Sequence, residues 1–368
     1  MISTPHRLPV TVVTGFLGAG KTTLLRHLLL HSGQRLAVLV NEFGEVGIDG
    51  DLLRSCGFCP DEELDNRLVE LANGCLCCTV QDDFLPTMEA LLARSDDLDG
   101  IVVETSGLAL PEPLVAAFRW PGIRSRTRVH AVVTVVDGEA LAQGQVVADA
   151  TALEAQRLAD PSLDHLDAIE DLFADQLEAA DLVLLSRCDR LSHDQITALQ
   201  LDLKQRCRAG TGVLPMTRGK VDPGVLLGLP PRSEQPGAAP SPDDHHHDHA
   251  HVAMESVVVQ RTGHWEQAAL EACLRQLINQ QIVIRLKGRL QQPGKARPLQ
   301  IQAVGPRLEC WYEGHQASPI QPSLQPKLEL VVLGFNLDQD AIEAALEHAA
   351  ISVEREIALG TNPVPAQG

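Results

Sequence analysis

A chain of 368 residues, 44% of them hydrophobic and with a mean hydropathy of -0.01, has room for two domains and a well-buried core and reads as a soluble globular protein. A formal net charge of -19 at pH 7 and an isoelectric point near 5.1 argue against a nucleic-acid partner, which wants a basic face. No apolar run approaches the roughly 20 residues that span a bilayer, so no membrane partner is expected.

The first residues, Met1-Ile2-Ser3-Thr4-Pro5-His6-Arg7, lack the apolar core of a signal peptide and lead straight into a strand-like run, Leu8 to Thr14. Nine cysteines, several too close together for easy mutual pairing, fit a reducing, cytoplasmic setting. Gly15-Phe16-Leu17-Gly18-Ala19-Gly20-Lys21-Thr22 follows the run and fits the phosphate-loop pattern. Its context is right, with a strand before it and an apolar-rich helix, Thr22 to His31, after it. Glycines let backbone N–H groups approach phosphates, and a helix N-terminus favours anionic charge. Lys21 is expected to reach the β- and γ-phosphates, with the Thr22 hydroxyl placed for Mg²⁺.

Further buried strands are predicted at Leu36–Val40, Ile101–Glu104, Ala131–Val136 and Leu182–Ser186. Each is nearly continuous in apolar residues, as in a mostly parallel sheet covered by helices on both faces. The expected fold class is therefore α/β, a P-loop NTPase domain over residues 1–230. Glu104 ends its strand and can hold Mg²⁺ through water; Gly107, three residues on, offers an N–H to sense a γ-phosphate. Ser186-Arg187-Cys188-Asp189 stands where GTPases carry Asn-Lys-x-Asp, so Asp189 is the candidate reader of guanine.

Asn73-Gly74-Cys75-Leu76-Cys77-Cys78 places three thiols within four positions. Such a cluster suits Zn²⁺, Co²⁺ or Cu⁺ once ionised, and packing alone does not call for it. In an extended segment Cys75 and Cys77 share one face and Cys78 takes the other, so the three need not hold one ion. Glu42, just after the second strand, is a further candidate ligand. Cys56 and Cys59 form a lone C-x₂-C, a weaker hint of a structural zinc.

Composition changes after residue 230. A Pro/Gly-rich stretch runs into Asp243-Asp244-His245-His246-His247-Asp248-His249, and residues 231–253 read as a linker that also collects metal loosely. Residues 254–360 then give strands at Glu255–Val259, Ile282–Leu286, Leu299–Val304, Leu308–Tyr312 and Leu328–Gly334. With helices at Trp265–Asn279 and Asp338–His348, this is a smaller α+β domain with an antiparallel sheet.

The combination of these segments with Glu104-Thr105-Ser106-Gly107-Leu108-Ala109 resembles the CobW-type metallochaperone GTPases over nearly the whole chain. The resemblance implies GTP hydrolysis coupled to delivery of a divalent metal to a metal-requiring client. It implies that Gly15, Gly18, Ala19, Gly20, Lys21, Thr22 and Thr23 hold phosphates and Mg²⁺, and that Glu104 and Gly107 form a switch. It also implies a metal site of Glu42 with Cys75, Cys77 and Cys78. The segments Cys78–Pro86 and Ala117–Pro121 are most similar to the cobalamin-pathway members, which implies Co²⁺ supply to the cobaltochelatase. A zinc chaperone serving a zinc enzyme, or a passive metal store, stands as the alternative. The Ser-Arg departure from Asn-Lys weakens the base-reading signal.

Overall fold

The computed structural model describes residues 7–40, 68–70, 84–153, 169–227, 254–292, 295, 297–312 and 326–350. Glu42, Cys56, Cys59, Cys75, Cys77, Cys78 and the His-rich run lie outside the described residues. The chain divides into two compact units, within residues 7–250 and 251–368.

The first unit is built on seven parallel strands: β1 (Leu8–Thr14), β2 (Leu36–Val40), β3 (Leu68–Glu70), β4 (Gly100–Glu104), β5 (Thr127–Asp137), β6 (Leu182–Ser186) and β7 (Gly212–Pro215). Their order across the sheet is β3-β2-β4-β1-β5-β6-β7. Every residue of β1, β4 and β6 is buried, which is why their sequences are apolar without alternation. The helices are α1 (Lys21–His31), α2 (Leu85–Ala93), α3 (Pro111–Ala117), α4 (Gly138–Ala142), α5 (Ile169–Ala179), α6 (His193–Arg206) and α7 (Pro223–Leu227). Phe84, Met88 and Leu92 pack with Val10, Val12, Leu39 and Val103 in one core cluster. Phe173 and Leu177 of α5 join Val183, Leu185 and Leu203 in another.

Strands β3 and β7 are not anticipated by the sequence pattern. Three residues in one case, and four ending in Pro215 in the other, are too short to show periodicity. Strand β5 starts at Thr127 rather than Ala131, because β1 and β5 pair from Leu8↔Thr127 onward with a register shift between Val10 and Thr11.

The second unit is a five-stranded antiparallel sheet, ordered β11-β10-β9-β12-β8. Its elements are β8 (Glu255–Thr262), α8 (Gln267–Gln280), β9 (Ile282–Gln291), β10 (Leu299–Val304), β11 (Arg307–Tyr312), β12 (Lys327–Phe335) and α9 (Gln339–Ala349). Leu270, Leu274 and Leu277 of α8 and Ile342 and Leu346 of α9 meet Val259, Leu286, Leu330 and Val332 of the sheet. Strand β9 continues five residues past Leu286 through Gly288, where any Cβ would lie 2.1 Å from the Glu329 carbonyl. Glycine at this position is what admits the close neighbouring strand.

Candidate functional site

Two crossovers decide where a ligand fits. The chain leaves β1 toward β2 on one side, passing over β4, and leaves β4 toward β5 on the other, passing over β1. The reversal opens a crevice at the C-terminal ends of β1 and β4, the usual ligand position in an open α/β sheet. The Gly15–Gly20 loop leaves β1 there, and Thr105 to Gly107 leave β4 beside it. The Thr105 N–H donates to the Val13 carbonyl at 2.9 Å, and the Thr105 hydroxyl to Thr14 at 2.9 Å, which ties the two exits together.

The loop itself is shaped by its glycines. Gly15 has φ +132° and packs so tightly that a Cβ would stand 2.1 Å from the Val135 carbonyl oxygen. Gly20 has φ +105° and occupies the N-cap of α1 in the left-handed region, where it makes no side-chain capping bond. The first turn of α1 contains no acidic residue. Its N-terminal N–H donors are thus left for an anion, and the glycine cradle fits phosphate groups.

Lys21 is buried and folds back on the loop. Its Nζ donates to the Gly15 carbonyl at 2.8 Å and the Phe16 carbonyl at 3.2 Å, with Glu104 Oε1 3.9 Å away. A flexible ammonium held by backbone carbonyls is placed to exchange them for phosphate oxygens. Thr22 is half-buried and Thr23 exposed at the same helix end. Glu104 is 2% exposed. Gly107 lies against the loop: a Cβ there would meet the Leu17 nitrogen at 2.7 Å.

Beyond the loop, β6 ends in Ser186, and Arg187 adopts the left-handed conformation at φ +56°. The turn aims its guanidinium at three groups. One nitrogen lies 2.6 Å from Asp137 Oδ2 and 3.7 Å from Glu139 Oε2, and the other donates to the Gly18 carbonyl at 2.9 Å. Asp137 ends β5 and caps α4, accepting the Glu139 and Ala140 N–H groups at 3.0 and 3.2 Å. Ser186 is buried, and Gly20 leaves room against it, its virtual Cβ 3.9 Å from Ser186 Oγ. The departure from Asn-Lys therefore keeps a cation bridging strand end and phosphate loop. Asp189 is partly exposed and faces Arg218 at 3.8 Å, where Arg218 sits at φ +51° in the turn after β7.

Asp137, Glu139 and Arg218 were not singled out by sequence. The signal for Asp137 was available, since an apolar strand followed by acid and glycine is the same pattern that marks Glu104.

The cysteines within the described residues are a different population from the Cys75–Cys78 cluster. Burial pushes the thiols of Cys188 and Cys207 up to about 11. Burial, with Glu271 close by, takes Cys310 up to about 12, and burial also raises Cys273. Thiols held protonated are poor metal ligands. Among the described residues no group of three or more His, Cys, Asp or Glu is arranged to hold a metal ion, and no helix is long and apolar enough to cross a membrane.

A parallel sheet with a glycine cradle and buried lysine at its switch point defines a P-loop nucleoside triphosphatase. Residues 9–213 match the model of the CobW/HypB/UreG nucleotide-binding domain, and residues 254–350 match the cobalamin synthesis protein CobW C-terminal domain. The chain belongs to the CobW family of metallochaperone GTPases. It is 45% identical to the zinc chaperone CobW of Pseudomonas aeruginosa, over 95% of this chain and 93% of that protein. It is 41% identical to the zinc chaperone CobW of a Sinorhizobium species, over 92% and 96%. Among solved structures, the Zn(II)-bound YjiA GTPase of E. coli aligns with a TM-score of 0.40 at 22% identity, across 94% of this chain and all of that one.

Proposed function

We propose that this GTPase acts in the cytoplasm, holds Zn²⁺ through Glu42, Cys75, Cys77 and Cys78, and releases it to a metal-requiring client when bound GTP is hydrolysed. The observation that carries the coupling is strand register. Val40 of β2 pairs with Glu104 of β4, and Glu70 of β3 pairs with Val40. The chain thus departs toward Glu42, two residues on, and toward Cys75, five residues on, from the row that ends in Glu104.

In this reading Gly15, Gly18, Ala19, Gly20 and Thr23 cradle the phosphates, Lys21 neutralises the β- and γ-oxygens, and Gly107 responds to the γ-phosphate. Thr22 and Glu104 hold Mg²⁺, which supplies charge neutralisation for the leaving phosphate. Asp189 accepts the guanine N–H groups. Hydrolysis removes the contacts that order the Gly107 segment, and the thiolate site loosens with it. Zinc is favoured because three thiolates suit it and because it binds above cobalt in the affinity order of divalent metals. The relatives named as zinc chaperones agree with that choice.

The test is a competition titration of Zn²⁺ and Co²⁺ with GTP, GDP or no nucleotide. Cys77→Ser reports on the metal site, and Lys21→Ala serves as the hydrolysis control. Tighter Zn²⁺ binding in the GTP state, lost in Cys77→Ser, is expected; equal affinity in all three states sinks the coupling. Co²⁺ delivery to the cobaltochelatase is the second reading, favoured by the match of residues 254–350 to a domain described for cobalamin synthesis. It requires Co²⁺ to displace Zn²⁺ in the GTP state of the same titration.

A further inference from the structure

We propose that Gln176, on α5, is a positioning residue that sets how the Gly107 segment distinguishes GTP from GDP, an inference that rests on Gly107 as the γ-phosphate sensor. Gln176 is fully buried, and its Nε2 donates to the Gly107 carbonyl at 3.2 Å and to the Ala109 carbonyl at 3.4 Å. Both amide hydrogens thus grip one turn, which is closed by the Ala109 N–H donating to the Ser106 carbonyl at 3.2 Å. With the Ser106 carbonyl turned inward, trans geometry sends the Gly107 N–H outward from the turn.

The oxygen of the same amide has no hydrogen-bond partner among the described residues and is buried. Flipping the amide would aim that oxygen at two carbonyls, so the orientation is fixed by chemistry. An orphaned buried acceptor is unfavourable, and leucine or methionine would fill the same volume without it. Packing does not account for a glutamine here; its grip on the segment does.

Helix α5 also reaches the phosphate loop. The Phe173 ring, three residues before Gln176 and so on the same helix face, stacks on Phe16 with centroids 6.0 Å apart. The Gln176 carbonyl accepts from the Thr134 hydroxyl at 3.0 Å, which pins the helix to β5. One helix therefore references the γ-phosphate-sensing turn to the loop that holds the other phosphates. On the loop side the turn is close enough that a Cβ on Gly107 would meet the Leu17 nitrogen at 2.7 Å. Gln176 holds the same turn by its carbonyls.

The test uses the full chain with Gln176→Met, Gln176→Glu and Gly107→Ala. It reads Kd for GDP, Kd for a non-hydrolysable GTP analogue with Mg²⁺, and melting temperature. Gln176→Met is expected to keep GDP affinity within about twofold and to weaken the analogue about tenfold, the scale of one net hydrogen bond. Gln176→Glu shows the same loss at about pH 8 and regains part of it toward about pH 6, because a protonated carboxyl can donate to the Gly107 carbonyl and burial favours the protonated form. Equal weakening of GDP and analogue in Gln176→Met, or a Gln176→Glu pH response no steeper than that of the unsubstituted chain, overturns the proposal. If Gln176→Met does not fold, the Gln176→Glu pH series decides alone. Gly107→Ala separates the two readings. An unchanged analogue-to-GDP ratio there overturns Gly107 as sensor and this proposal with it. A changed ratio beside a normal Gln176→Met overturns only the role of Gln176.

Discussion

Arg187 stands where GTPases of this class carry lysine, yet restoring lysine is expected to weaken nucleotide binding. The planar guanidinium reaches Asp137, Glu139 and the Gly18 carbonyl at once, and a lysine ammonium on the same stem cannot fork between strand end and loop. Asp137 is 4% exposed, and truncating its partner leaves a buried carboxylate short of a cation, a loss of about 1–3 kcal/mol for such groups. Arg187 itself is 34% exposed, so solvent screening brings that down to roughly 1–1.5 kcal/mol. Arg187→Ala should therefore lose roughly 1–1.5 kcal/mol of stability by denaturant titration, and Arg187→Lys less; with the Gly18 carbonyl no longer held, both should also bind GDP more weakly, measured by fluorescent-nucleotide titration. Backbone strain is separable from the side chain. At φ +56° a glycine avoids a penalty of about 1–2 kcal/mol, so Arg187→Gly should melt above Arg187→Ala while binding GDP equally poorly. Arg187→Lys binding GDP as tightly as arginine, or Arg187→Ala within twofold of it, would refute the bridging role.

Gly15→Ala should lose nucleotide binding and at least about 3 kcal/mol of stability by denaturant titration, since the methyl would meet the Val135 carbonyl at 2.1 Å in a backbone conformation alanine avoids. Asp189→Asn should exchange guanine for xanthine preference in competition binding, because the amide presents a donor where the carboxylate offered only acceptors. His27 has its pKa lowered from 6.5, first by burial and then by repulsion from His31. The unfolded chain therefore binds more protons between the lowered value and 6.5, and stability rises with pH through that window. Melting curves of His27→Gln from about pH 5 to pH 7 should show a flatter slope than those of the unsubstituted chain.

The sheet and the phosphate loop were legible because both are written locally. Buried parallel strands show as unbroken apolar runs, and a glycine cradle needs its residues at fixed spacing. Arg187 was legible only as a departure from a motif. Its compensation by Asp137 depends on β5 and β6 lying side by side, with Asp137 paired to Ser186 in register, which no local pattern carries. Gln176 is one of several polar residues in a helix, Ile169–Ala179, and was not singled out by sequence. Its grip on Gly107 spans 69 residues of sequence. Arg218 follows a strand too short to read. The site residues that escaped notice are thus those whose partners come from another crossover.

The same register would let the proposed phosphate and metal sites sit at one end of the sheet. Lys21 rests on the Gly15 and Phe16 carbonyls with Glu104 at 3.9 Å, so its ammonium is part of the field around a nearly fully buried carboxylate. In the proposed function, a triphosphate that drew Lys21 forward would take that positive charge away from Glu104, and the carboxylate would then favour a divalent cation beside Thr22. Val40 lies directly opposite Glu104, at the last position before the chain runs on to Glu42. Under the proposed function, a shift at Glu104 would reach Val13 of β1 on one side and Val40 of β2 on the other, and Val40 leads into the segment that carries a proposed zinc ligand. A coupling route of this kind needs no long pathway: it needs one lysine with two resting places and two strands that end in register.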